Sequence, residues 1–131
     1  MKLSEWLAPS RVVHAHCDLP CGVYDPAQAR IEAESVKAIM EKYESNDDPH
    51  FRTRAIAIKE ERADLVKHHL WVLWTDYFKP EHLDKFPNLH EQFWNATKLA
   101  GAAKKSLDPK DGQKLLDAID EIAETFKASK G

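Results

Sequence analysis

Three Asp-Pro pairs, Asp25-Pro26, Asp48-Pro49 and Asp108-Pro109, each stand just before a stretch whose apolar residues recur every three or four positions. An Asp carboxylate accepts from the first unpaired N–H groups of a helix, and a Pro at the first helical position loses nothing by lacking one. The pairs therefore predict three helix starts, and Pro87 after Phe86 predicts a fourth. Ala29, Ala33, Val36, Met40 and Tyr43 make the first stripe. In the second segment, expected from Pro49 to Phe78, Ala55, Ile58, Leu65 and Val72 share a face, with Ile56, Ala63, Val66, Leu70, Leu73 and Tyr77 beside it. Leu89, Phe93, Ala96, Ala100 and Ala103 make the third stripe, and Leu115, Ile119, Ile122 and Phe126 the last. Each stripe must be buried against neighbours. Four such helices on short links predict an all-α fold, an antiparallel four-helix bundle over residues 25–131, with a turn or extra helix from Lys79-Pro80.

Other classes are set aside by charge and pattern. A net charge of −3 gives no basic footprint for nucleic acid. No apolar run reaches the length of a membrane span. The first fifteen residues fall outside the helical pattern, and Glu5, Pro9 and Arg11 break any apolar stretch a secretory signal would need. Their plain reading is a frayed terminus, and the expected compartment is the reducing cytoplasm. Cys17 and Cys21, the two cysteines, are four positions apart, too near for an ordinary structural disulfide framework.

The segment His16-Cys17-Asp18-Leu19-Pro20-Cys21 has the makings of a metal hook. Two thiolates are soft ligands that select late transition metals. Pro20 and Gly22 favour a reversal that brings the sulfurs together, and His16 adds an imidazole. If the chain began at His16, its α-amine would be a further nitrogen ligand, with the Cys17 amide nitrogen between amine and sulfur. Two nitrogens and two sulfurs in a plane suit Ni(II) or Cu(II) better than tetrahedral zinc. Spacing alone leaves an inert or disulfide-forming pair open.

The run HCDLPCGVYDPAQARIEAESVKAI closely resembles the start of mature nickel superoxide dismutases, and the likeness continues through NDDPHF, IKEERADLVKHHL and VLWTDYFKPEHL. The resemblance implies a precursor whose leader, residues 1–15, is cut before His16 by a processing protease. The remainder, 16–131, would be a hook over 16–24 followed by the bundle. Loss of Lys2, Glu5 and Arg11 would take the net charge from −3 to −4. It also implies one nickel ion per subunit, held by the His16 amine, the Cys17 amide nitrogen and the thiolates of Cys17 and Cys21, with the His16 imidazole as axial ligand. Superoxide is then the substrate, a homohexamer the assembly, and an uncleaved chain inactive.

Glu32 and Arg62 match the family's partners of that imidazole. Arg62 also stands out unaided, because it falls at the spacing of Ala55, Ile58, Leu65 and Val72, and a charge on an apolar face is expensive unless paired. Tyr24, by resemblance, lies beside the open metal face, where a phenol can order water or pass protons. Tyr77 and Lys79 match residues near the site, and Lys79 offers local attraction for an anion. Asp18 is expected to fix the hook through bonds to backbone. His68 and His69, being adjacent, cannot form an i, i+4 chelate, and the spacing of His50, His82 and His90 makes no second metal site. Trp71 and Trp74 flank the second stripe and suit either core or interface. Three other readings accompany the dismutase: a nickel or copper carrier without turnover, a thiol protein cycling through a Cys17–Cys21 disulfide, and a purely structural helical module.

Overall fold

The structure, a computed structural model, describes residues 21–131. Helix α1 spans Ala27–Glu44, α2 Pro49–Val72, α3 Pro80–Lys85, α4 Leu89–Lys105 and α5 Pro109–Lys130. A single π-helical turn, Leu73–Tyr77, extends α2 before the chain leaves it. The Asp-Pro starts behave as their chemistry requires. Asp48 accepts from the Phe51 N–H at 2.9 Å and Asp108 from the Lys110 N–H at 3.0 Å, each with Pro as first helical residue. The first start is shifted by one: α1 begins at Ala27 with Pro26 at the cap, and Asp25, two residues ahead of the helix, accepts from the Ala27 N–H at 2.9 Å. The start expected at Pro87 lies two residues further on, at Leu89.

α1, α2, α4 and α5 pack as a ring, each against two neighbours, while α3 lies at the end of the bundle against α4. The pairing is antiparallel. Arg52 at the start of α2 meets Tyr43 at the end of α1, and Gln92 early in α4 meets Thr125 late in α5. Small residues set the helix spacing: Ala29, Ala33, Ala96, Ala100 and Ala103 are wholly buried, with Val36, Met40, Leu115, Ile119 and Ile122 filling the space between. Full burial of one such branched side chain stabilises by about 1.5–3 kcal/mol. Gly112 marks the closest approach of α5 to α1, since a Cβ there would stand 2.8 Å from Cβ of Lys37.

The stripes predicted for α1, α4 and α5 are the buried faces, save that Tyr43 at the end of the first is only half-buried. For α2 the buried face is centred on residues expected beside the predicted stripe. Ala63, Val66, Leu70 and Leu73 point inward with Lys59; of the stripe itself Ala55 and Val72 are buried, whereas Ile58 is 38% exposed and Leu65 half-buried. The reason is Lys59, a charged residue at a core position, which breaks the apolar pattern at its phase-setting point. Its side chain is 1% exposed. The ammonium donates to the carbonyls of Ala103 at 3.1 Å, Lys104 at 2.7 Å and Ser106. These lie at the end of α4, where carbonyls have no helical partner and the helix dipole favours a cation. Burial pulls the ammonium below the usual lysine range, against a smaller opposing effect of Glu60.

Candidate metal centre

Cys21, Gly22, Val23 and Tyr24 form the arm leading into α1. Gly22 has φ +75°, the left-handed region that other L-residues enter at a cost of about 1–2 kcal/mol. Its reversal turns the Val23 N–H onto the Cys21 sulfur at 3.4 Å. Cys21 is exposed at the surface. His16, Cys17 and Asp18 lie outside the described residues. Among those described, no group of three or more His, Cys, Asp or Glu side chains is placed to hold a metal ion.

Next to Cys21 opens a cleft of about 370 Å³ lined by Gly22, Tyr24, Asp76, Tyr77, Lys79, Glu81 and His82. It brings together three residues the sequence singled out, Tyr24 from the arm and Tyr77 and Lys79 from the far end of α2. The Tyr24 and Tyr77 rings are 5.7 Å apart. Tyr77 is fixed further by Phe126, at 4.6 Å between rings, and by a 2.7 Å hydrogen bond between its hydroxyl and that of Ser129. The π turn makes this possible. The Phe78 N–H reaches the Leu73 carbonyl five residues back, at 3.1 Å, so the chain after Leu73 leaves the α-helical register.

Glu32 and Arg62 also pair. The Arg62 guanidinium donates to both Glu32 oxygens, at 3.3 and 3.2 Å, and its other terminal nitrogen donates to Glu61 at 3.0 Å. The Glu32 side chain is 17% exposed and Arg62 32%. The charge of Glu32 is the main reason the guanidinium holds its proton more tightly than usual, with burial opposing and Glu61 adding.

Asp76, Glu81 and His82 line the cleft without having been singled out as site residues. Asp76 and Glu81 read as ordinary solvent-facing helix residues. His82 had one legible cue: it is the third residue after the Lys79-Pro80 start, where a side chain reaches back to the helix cap.

The family model for nickel-containing superoxide dismutase matches residues 11–130. Two curated proteins, each named Superoxide dismutase [Ni], from Streptomyces coelicolor and Streptomyces seoulensis, are 61% identical to this chain over 128 residues, covering 98% of it and 98% of each relative. A native nickel superoxide dismutase structure at 1.30 Å superposes with a TM-score of 0.86 at 63% identity, over 88% of this chain and 98% of that one.

Proposed function

This chain belongs to the nickel-containing superoxide dismutase family, and from that premise we propose that its working form begins at His16 and carries its metal on the arm ahead of the bundle. The reaction is 2 O₂⁻ + 2 H⁺ → O₂ + H₂O₂ and the cofactor is nickel. Family membership favours turnover over a carrier that only binds the ion. The observation that carries the reading of the site is the convergence of Tyr24, Tyr77 and Lys79 on the cleft that begins at Gly22, next to Cys21.

Cys21 fits the ion. A thiolate is a soft donor suited to nickel, and the Val23 N–H directed at the sulfur complements its negative charge. The His16 amine, the Cys17 amide nitrogen, the Cys17 thiolate and the His16 imidazole would supply the other ligands, with Asp18 bracing the turn. When bound, nickel supplies the one-electron cycling between Ni(II) and Ni(III) that both half-reactions require. Before cleavage the His16 nitrogen is an amide within the chain and cannot serve as a neutral amine ligand.

The residues around the cleft have separate tasks. Lys79 draws in the superoxide anion against an unfavourable net charge. The Tyr24 hydroxyl orders water and holds a proton for the forming peroxide, while Tyr77, anchored on Ser129, keeps the Tyr24 ring in place. Glu32 and Arg62 orient the imidazole of His16. Replacing Arg62 with Lys removes the planar fork that reaches Glu32 from one nitrogen and Glu61 from the other, and lowers turnover roughly tenfold, as loss of an orienting partner of a metal ligand does. The melting temperature scarcely moves, because water screens a partly exposed ion pair and leaves it little net effect on stability. Pulse radiolysis beside a thermal melt checks both, and wild-type turnover in that variant removes Arg62 from the site.

Among the described residues no helix is long and apolar enough to cross a membrane. The cytoplasm is our assignment from the sequence, where Glu5, Pro9 and Arg11 interrupt any apolar stretch of a secretory signal. We assign the protein to a homohexamer as well. Trp71 and Trp94, 50% and 58% exposed, flank an apolar cleft of about 210 Å³ between α2 and α4, a face that assembly would cover. Native mass spectrometry of active material tests the whole reading: six chains, each starting at His16 with one nickel. Full activity in a chain retaining Met1 overturns the cleavage, and active material carrying zinc overturns the metal site.

A further inference from the structure

We propose that His82 is a positioning residue that fixes Lys79 relative to Tyr77 in the cleft, resting on the reading of Lys79 given above. Placement of Lys79 matters because the cleft is not positive overall. Asp76 and Glu81 line it too, so the field met by an incoming anion depends on how near the one ammonium stands to Cys21.

His82 is bound to both residues at once. Its Nδ1 accepts the backbone N–H of Lys79 at 3.0 Å, and the His82 backbone N–H donates to the Lys79 carbonyl at 2.9 Å. Pro80 restricts Lys79 from the other side to extended backbone, observed at φ −125° and ψ 166°. The imidazole lies parallel to the Tyr77 ring, at 9° and 5.7 Å, and edge-on to Phe78 at 5.5 Å. One side chain thus couples an amide to a ring, and those belong to the two residues that the end of α2 sends into the cleft. α3 has six residues, none of them buried, so no core packing of its own holds Lys79 there.

Two variants separate the two contacts. His82→Phe keeps an aromatic ring against Tyr77 and loses the acceptor. His82→Gln loses the ring and keeps an acceptor, since Gln at the third helical position reaches back to the cap N–H. Hydrogen exchange of the Lys79 amide in the metal-free chain, followed by NMR, reads the geometry directly. His82→Phe should raise its rate roughly tenfold, the change one lost hydrogen bond brings, and His82→Gln should restore protection. In the nickel-loaded enzyme, kcat/KM of wild type should fall as salt screens Lys79. That fall should vanish in Lys79→Ala, flatten in His82→Phe and return in His82→Gln, with kcat changed less than kcat/KM in His82→Phe. An unchanged Lys79 amide in His82→Phe overturns the positioning role alone. A wild-type salt response in Lys79→Ala overturns the reading of Lys79, and the proposal falls with it.

Discussion

A Cys21→Ser chain, processed to His16 and supplied with nickel, should bind little of the metal and lose its dismutase activity, by more than about a hundredfold, while its bundle stays folded. The magnitude follows from a lower bound: removing even an orienting partner of a metal ligand costs about 10–100-fold, and this change removes a proposed ligand. Serine has nearly the size of cysteine but offers a hard, neutral oxygen where nickel needs a soft, charged sulfur. The fold should be indifferent. Cys21 is exposed, precedes α1 by several residues and contributes nothing to the core. Superoxide decay after pulse radiolysis, metal analysis and a circular-dichroism melt on one sample make the test. A serine variant that retains nickel and activity removes Cys21 from the metal centre, whereas a lost melt would give the arm a structural role it is not assigned here.

The largest expected effect on stability lies elsewhere, at Lys59. Lys59→Ala should destabilise the bundle by about 3–5 kcal/mol, combining the cavity left by the stem with the carbonyls left without a donor. For a chain of this size that lowers the melting temperature by roughly 10–20 °C. Lys59→Met separates the parts, since it fills most of the space yet donates nothing, and should cost about 1–3 kcal/mol. Neither change touches the cleft, so nickel loading and turnover below the melt should stay near wild type. Denaturant unfolding of the three chains gives the comparison. An alanine variant within about 0.5 kcal/mol of wild type, the usual range for a surface position, would mean that the buried ammonium holds nothing together.

These two sites also mark where the chain can be read without coordinates and where it cannot. Wherever each core position was filled by an apolar residue, as at Leu115, Ile119 and Ile122, spacing alone identified the inward face. The Asp-Pro pairs identified three starts because capping is local chemistry, settled within four residues. α2 went astray because Lys59 is polar by type and internal by position. Its partners are carbonyls more than forty residues away, and no local pattern announces them. Arg62 stood out as a charge on a stripe that proves only partly buried, and its pairing with Glu32 on another helix came from family likeness. Tyr24, Tyr77 and Lys79 reached the list in the same way. His82 was passed over because a search for metal chelates looks for side chains that converge, and this one faces its own backbone.

The π turn at Leu73–Tyr77 carries a consequence for how the molecule tolerates change. Each helical residue advances the side-chain direction by about 100°, so one extra residue within a turn swings everything after it by that angle. Upstream, Val66 and Leu70 keep step with the core; downstream, Tyr77 and Lys79 keep step with the arm. The two halves answer to different neighbours, and the bulge is the joint at which their counts are reconciled. Substitutions in this stretch alter one contact at a time. A single-residue deletion would instead turn the Tyr77 side chain about the axis, redirect the extended segment that carries Lys79, and leave the packing of Leu70 where it was. Here the number of residues, as much as their identity, encodes the site.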